Sequence, residues 1–153
     1  MSDLQTLSIS DAESVYDAVL EMVKQFGGYP PDFSANADTV RWNDIPAEQG
    51  IGLFPMQGAV YQKQYVSGSY VALFPFQIQY KSAPTTPKDN IDMTEMLESL
   101  GKWLESNVSA TFSDEKLELN KIARTSPILL AAKDDTTATY AVNMQLNYSY
   151  KKG

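Results

Sequence analysis

The sequence predicts an α+β protein, a two-layer sandwich in which a mainly antiparallel sheet packs against two helices. Three observations predict it. Two segments carry apolar residues at helical spacing, two long runs alternate between apolar and polar, and the connections between strand-like runs suit hairpins better than parallel crossovers. A chain of 153 residues fits one domain, 1–153, because ordinary domains run to about 100–150 residues.

The first helix is expected to open at Ser10, which forms a capping box with Glu13. Val15, Val19, Met22, Val23 and Phe26 then share one face for about four turns, and Gly27-Gly28 ends the run. Pro30-Pro31 make 29–37 an irregular connection, since neither proline has an amide hydrogen to donate. Short strands are expected over 39–43, 51–55 and 59–66. The Ser67-Gly68-Ser69 turn leads into a longer strand over 70–81.

In that long run Tyr70, Ala72, Phe74, Phe76, Ile78 and Tyr80 lie on one side, with Val71, Leu73, Pro75, Gln77 and Gln79 on the other. Pro75 marks it as an edge strand or the site of a bulge. A Pro/Thr-rich loop over 82–90 precedes a second helix capped by Asp92 and Glu95. Its stripe is Met93, Met96, Leu97, Leu100 and Leu104, and it ends near Asn107. Trp103 lies off the centre of this stripe, where it either covers the helix edge or enters a subunit contact.

Strands over 117–125 and 128–133 flank Pro127, and 134–137 form a turn. The final run, 139–150, places Tyr140, Val142, Met144, Leu146, Tyr148 and Tyr150 on one side. The matching stripes predict a core of Val19, Val23, Phe26, Leu97, Leu100 and Leu104 on Phe76, Ile78, Val142, Met144 and Leu146. Gly50-Ile51-Gly52 lacks the lysine and helix of a phosphate loop, so the glycines are expected to serve a bulge or a close backbone approach.

Composition narrows the chemistry. With no histidine and no cysteine, the chain has no imidazole general base, no thiolate nucleophile, no Ser-His-Asp triad and no structural zinc site. Asp89 with Asp92, and Asp134 with Asp135, offer oxygen atoms but lack the spacing of a calcium loop. The expectation is therefore no enzyme, no cofactor and no metal. No apolar run approaches the roughly 20 residues that span a bilayer, and 1–10 shows no signal-peptide pattern.

Charge is unevenly placed. Nine acids and two bases fall within 1–50, so this third carries the whole net charge of −7. No stripe of bases is available to hold nucleic-acid phosphates. The hairpin over 57–70 contains no acid, and Tyr61, Lys63, Tyr65 and Tyr70, together with Trp103, are the candidate interaction residues.

The segments Arg41-Trp42-Asn43-Asp44-Ile45-Pro46, Gly50-Ile51-Gly52-Leu53-Phe54-Pro55 and Phe76-Gln77-Ile78-Gln79-Tyr80-Lys81 resemble a family of small phage proteins. Pro87-Lys88-Asp89-Asn90, Trp103-Leu104 and Asn147-Tyr148-Ser149-Tyr150 continue the likeness. This is the minor capsid or tail terminator family of long-tailed phages and prophages of Gram-positive bacteria. The resemblance implies a virion structural protein, assembled in the host cytoplasm as a homo-oligomeric hexameric ring. Such a ring caps the tail tube protein, joins a head-completion or connector protein, and lets DNA pass without specific binding or any membrane. Another neck role, head closure or connector, and a small-ligand binding module are the alternatives.

Overall fold

The computed structural model describes residues 9–30, 33, 35–36, 38–47, 49–56, 60–84, 86–106, 112 and 116–151, without the side chains of 9–13 and 60–61. The elements are α1 (Ile9–Gln25), β1 (Val40–Trp42), β2 (Gly50–Pro55), β3 (Val60–Gln64), β4 (Tyr70–Ser82), α2 (Pro87–Ser106), β5 (Leu117–Arg124), β6 (Leu129–Lys133) and β7 (Ala138–Tyr150). All seven strands join one sheet, ordered β1-β2-β4-β7-β5, with β3 on β4 and β6 on β7. Every pairing is antiparallel except that of β1 with β2. The result is an α+β sandwich of two helices on a mixed sheet.

The centre is β4 against β7, in register from Tyr70 opposite Tyr150 to Ser82 opposite Ala138. Their alternation places Phe74, Phe76 and Ile78 beside Leu146, Met144 and Val142 on one face, all buried. Both helices bury their stripes there: Val15, Val19 and Val23 from α1, Leu97, Leu100 and Leu104 from α2. The predicted core residues are all buried in this one cluster. Tyr16 of α1 stacks on Trp42 at 4.1 Å between ring centroids, and Trp42 lies 5.8 Å from Phe74, which ties β1 and α1 to the central strand.

Several details differ from the sequence expectation. Pro75 is not in an edge strand: β4 has neighbours on both sides. The proline is tolerated because β2 stops opposite Phe76 and β3 begins opposite Leu73, and the break falls at 74–75. The Pro75 carbonyl accepts a bond from Met56 N at 3.1 Å, so the side of Pro75 that lacks a hydrogen faces this break and not β7.

Helix α2 starts at Pro87 rather than at Asp92. Thr86 Oγ1 accepts from Asp89 N and Asp89 Oδ2 accepts from Thr86 N, both at 3.2 Å, so the capping pair is Thr86/Asp89 and Pro87 takes the first helical position. Helix α1 begins at Ile9, so Ser10 lies inside its first turn, and the Ser10/Glu13 capping contacts fall outside the described side chains. Strand β3 covers Val60–Gln64, shorter than the expected 59–66; Gln57, Gly58 and Ala59 are outside the described residues.

A further difference is the parallel pairing of β1 and β2 across a seven-residue connection, 43–49. Asn43 turns the chain with φ 57°, in the left-handed region, and donates from its N to Leu53 O at 2.7 Å. The connection then runs back over β2. A Cβ at Gly52 would stand 2.5 Å from Asp44 O, and one at Gly50 would stand 2.7 Å from Thr39 O. The glycine pair thus serves a close backbone approach, one of the two uses the sequence allowed.

Leu100 is fully buried between α2 and the sheet. Leu100→Ala should cost about 2–5 kcal/mol, checked by urea unfolding, and an unchanged midpoint would place this residue outside the core.

Candidate interaction surfaces

The acid-free hairpin is built by β3, a tight turn and the start of β4. Tyr65 N donates to Ser69 O at 2.9 Å and Gly68 N to Tyr65 O at 3.0 Å, while Gly68 adopts φ 96°, which its missing side chain permits. Tyr65 is 48% exposed and Val66 fully so. Lys63 Nζ lies 5.8 Å from the Tyr65 ring centroid, within reach of a cation–π contact.

The other predicted interaction residues sit elsewhere or are spoken for. Tyr61 pairs through its backbone with Ala72, and its side chain lies outside the described residues. Tyr70, at the hairpin base, stacks on Tyr150 at 4.9 Å. Trp103 is half-buried 5.6 Å from Phe26 and covers the edge of α2. It adjoins an aromatic chain, Phe26–Tyr29–Phe33–Tyr80, that fixes the proline-rich connection. Burial raises the Tyr29 hydroxyl pKa well above its usual value, and that hydroxyl donates to Val23 O at 2.6 Å. Lys63 and Tyr65 are the pair the fold brings together.

The sheet face away from the helices is a second surface. It presents Gln77 and Gln79 from β4 and Asn143, Gln145, Asn147 and Ser149 from β7. Gln77 Nε2 donates to Asn143 Oδ1 at 3.0 Å, Gln79 Nε2 to Gln77 Oε1 at 2.6 Å, and Asn147 Nδ2 to Gln62 Oε1 at 3.1 Å. Asn120 Nδ2 of β5 completes the layer, donating to Asn147 Oδ1 and Ser149 Oγ at 2.9 and 2.7 Å. The alternation of β7 made its half of this face legible as polar; that its amides bond across four strands depends on the register.

The sequence did not flag β6 as a surface. All five of its residues are exposed, with Leu129 at 48% and Leu130 at 54%. The available signal was that 128–132 is continuously apolar instead of alternating, which ordinarily marks a strand buried on both faces.

The carboxylates are engaged locally. A cleft of about 280 Å³ bordered by Pro30, Gln49, Tyr80 and Met93 includes Asp89 and Asp92. Asp89 caps α2, and Asp92 pairs with Lys88 at 3.2 Å. Among the described residues no three acids converge as metal ligands. Glu105 holds β5 to α2, accepting from Arg124 N at 3.0 Å and from Arg124 Nε at 3.1 Å.

No protein-family model and no curated protein matches this chain. One of the matching solved structures covers 94% of it and 95% of its own length, at 13% identity and a TM-score of 0.45. A likeness of that depth carries no argument about function. No helix among the described residues is long and apolar enough to cross a membrane.

The 134–137 turn supplies a pH test. Hydrogen bonds from Thr136 N, Thr137 N and Thr137 Oγ1 hold the Asp134 carboxyl down at about 2. A lowered folded-state pKa stabilises the turn above the ordinary carboxylate value of about 3.9, and this is lost as pH falls toward 2. The Asp134 carboxyl carbon should titrate near 2 by NMR, and Asp134→Asn should abolish the acid dependence of the neighbouring amide shifts.

Proposed function

We propose that this chain is a non-enzymatic structural protein of a long-tailed phage, a tail terminator that forms a hexameric ring. It caps the tail tube, stops its growth and offers its far side to the head connector. The observation that carries the reading is the unlikeness of its two layers. The described helix side chains include seven acids and three bases, whereas no charged residue occurs over 71–79 or 139–149, the stretches that build the amide face.

Ring closure requires heterologous contacts, one surface of a subunit against a different surface of its neighbour, and a two-sided subunit supplies them. The net charge is −7, so duplex DNA passing the ring would find little cationic excess with which to release counterions. The phage assignment itself rests on the segment resemblance around Arg41–Pro46, Gly50–Pro55 and Phe76–Lys81. A terminator acts stoichiometrically, so no turnover is expected of it.

Two experiments test the reading. Deleting the gene from its phage should give tails of irregular, excessive length that fail to join heads; tails of normal length already joined to heads would exclude the terminator role. Replacing Tyr65, which is 48% exposed, by serine should leave the melting curve within about 0.5 kcal/mol of the parent. It should also lower ring formation or tail termination, and normal assembly would remove the hairpin from the interface.

A further inference from the structure

The β4–β7 ribbon has two unlike ends. Tyr70 and Tyr150 close one, Ser82 and Ala138 close the other, and a thirteen-residue strand, roughly 40 Å, separates them. The 65–69 turn between β3 and β4 projects beyond the first end, and the 134–137 turn between β6 and β7 projects beyond the second. We propose that copies of this chain join end to end, the 65–69 turn of one seating in the cleft that the 134–137 turn of the next forms with the start of α2. The inference rests on the preceding section only in that the chain assembles with itself.

Each end holds apolar surface suited to the other. On the projecting turn Val66 is fully exposed and Tyr65 is 48% exposed. At the opposite end a cleft of about 480 Å³ opens between residues 84–91 and 133–137, with Pro84, Pro87 and Ile91 as its apolar wall. Ile91 is 57% exposed, although the apolar stripe of α2 from Met93 to Leu104 is buried. Clefts of about 300–1,000 Å³ take drug-sized groups, and a Tyr-Val pair is of that size. Because the turn and the cleft lie a strand length apart, one copy cannot fill its own cleft.

Charge selects the second copy and its orientation. At the hairpin end Lys63, Lys116 and Lys151 outnumber Glu118. At the cleft end Asp89, Asp92, Asp134 and Asp135 outnumber Lys81, Lys88 and Lys133. A two-fold pair would set like ends together, whereas head-to-tail order sets a positive end against a negative one. The hairpin lies between β3 and β4 and the acidic turn between β6 and β7, two strand spacings apart across the sheet, so each copy is displaced sideways from the last by roughly 10 Å. Such contacts are heterologous, and they close into a ring when each step also carries a rotation.

Val66 gives the test, because a substitution at so exposed a position leaves the fold intact. With a photoreactive phenylalanine analogue at position 66 of the full chain, irradiation at low salt should join copies, and mass spectrometry should map the bond to 84–91 or 133–137 of the neighbour. Val66→Asp should abolish the self-association seen by sedimentation while leaving circular dichroism and melting unchanged. Lys63→Glu and Asp135→Lys should each weaken association about two- to five-fold, and both in one chain should restore it, since every contact then again holds one charge of each sign. A chain that stays monomeric up to its solubility limit, a bond mapped to the neighbour's 65–69 turn or elsewhere away from the cleft, or undiminished association by Val66→Asp would each overturn the proposal. The mapped bond in a protein whose deletion leaves tails normal would keep the end-to-end contact and reject only the terminator role, and overlong tails without the bond would do the reverse.

Discussion

Everything in this structure hangs on the thirteen-residue pairing of β4 with β7. A two-stranded ribbon is marginal in water, and this one persists because one face is covered by both helices. Its inner rows, Ala72 to Tyr80 and Val142 to Tyr148, are almost wholly buried and form the floor of the core. A slip of one residue would move Phe74, Phe76, Leu146 and Met144 to the amide face and set Gln77 and Asn143 in the core. The register is thus fixed by burial on one side, and the amide bonds on the other follow from it.

The outer strands obey the same ribbon. Each long strand is flanked by two short ones placed end to end, β2 then β3 along β4, and β5 then β6 along β7. The breaks coincide with prolines: Pro55 and Pro75 at one, Pro127 at the other. A proline cannot donate to a ladder, and each break removes the ladder where a donor would be missed. Shortening and bulging the outer strands also limits the unpaired edge offered to chance partners.

The layers then acquire different chemistry. The helix side carries mixed charge with an acidic excess, much of it in exposed pairs such as Lys24–Glu21 and Lys102–Glu98, each worth little individually. The other side has a hydrogen-bonded amide centre, bordered on the same face by Arg41, Lys63, Lys81, Glu118 and Lys121. A subunit of this kind has unlike surfaces to offer to unlike neighbours, which gives the proposed capping role its physical basis. The two apolar edges, at Tyr65–Val66 and at Leu129–Leu130, are where such a subunit has surface left to cover.

What the sequence by itself determined was periodic. The two helical stripes, the two long alternating strands and the core residues from Val19 to Leu146 all follow from spacing, because burial on one side imposes a period of 3.6 or 2 on the residues that face it. Tertiary structure alone decided how strands meet. Pro75 read as an edge because only its own strand was visible, whereas its place depends on where β2 and β3 end. The Thr86/Asp89 cap lay hidden in a Pro/Thr-rich stretch whose composition fits a loop equally well, and the parallel turn at Asn43 needed the close passage over Gly52 to form. Strand β6 is apolar from Leu129 to Ala132, a pattern that ordinarily marks a buried strand. Its exposure came from its position at the rim of the sheet, a matter of which element lies beside which, and periodicity along one chain segment carries no record of that.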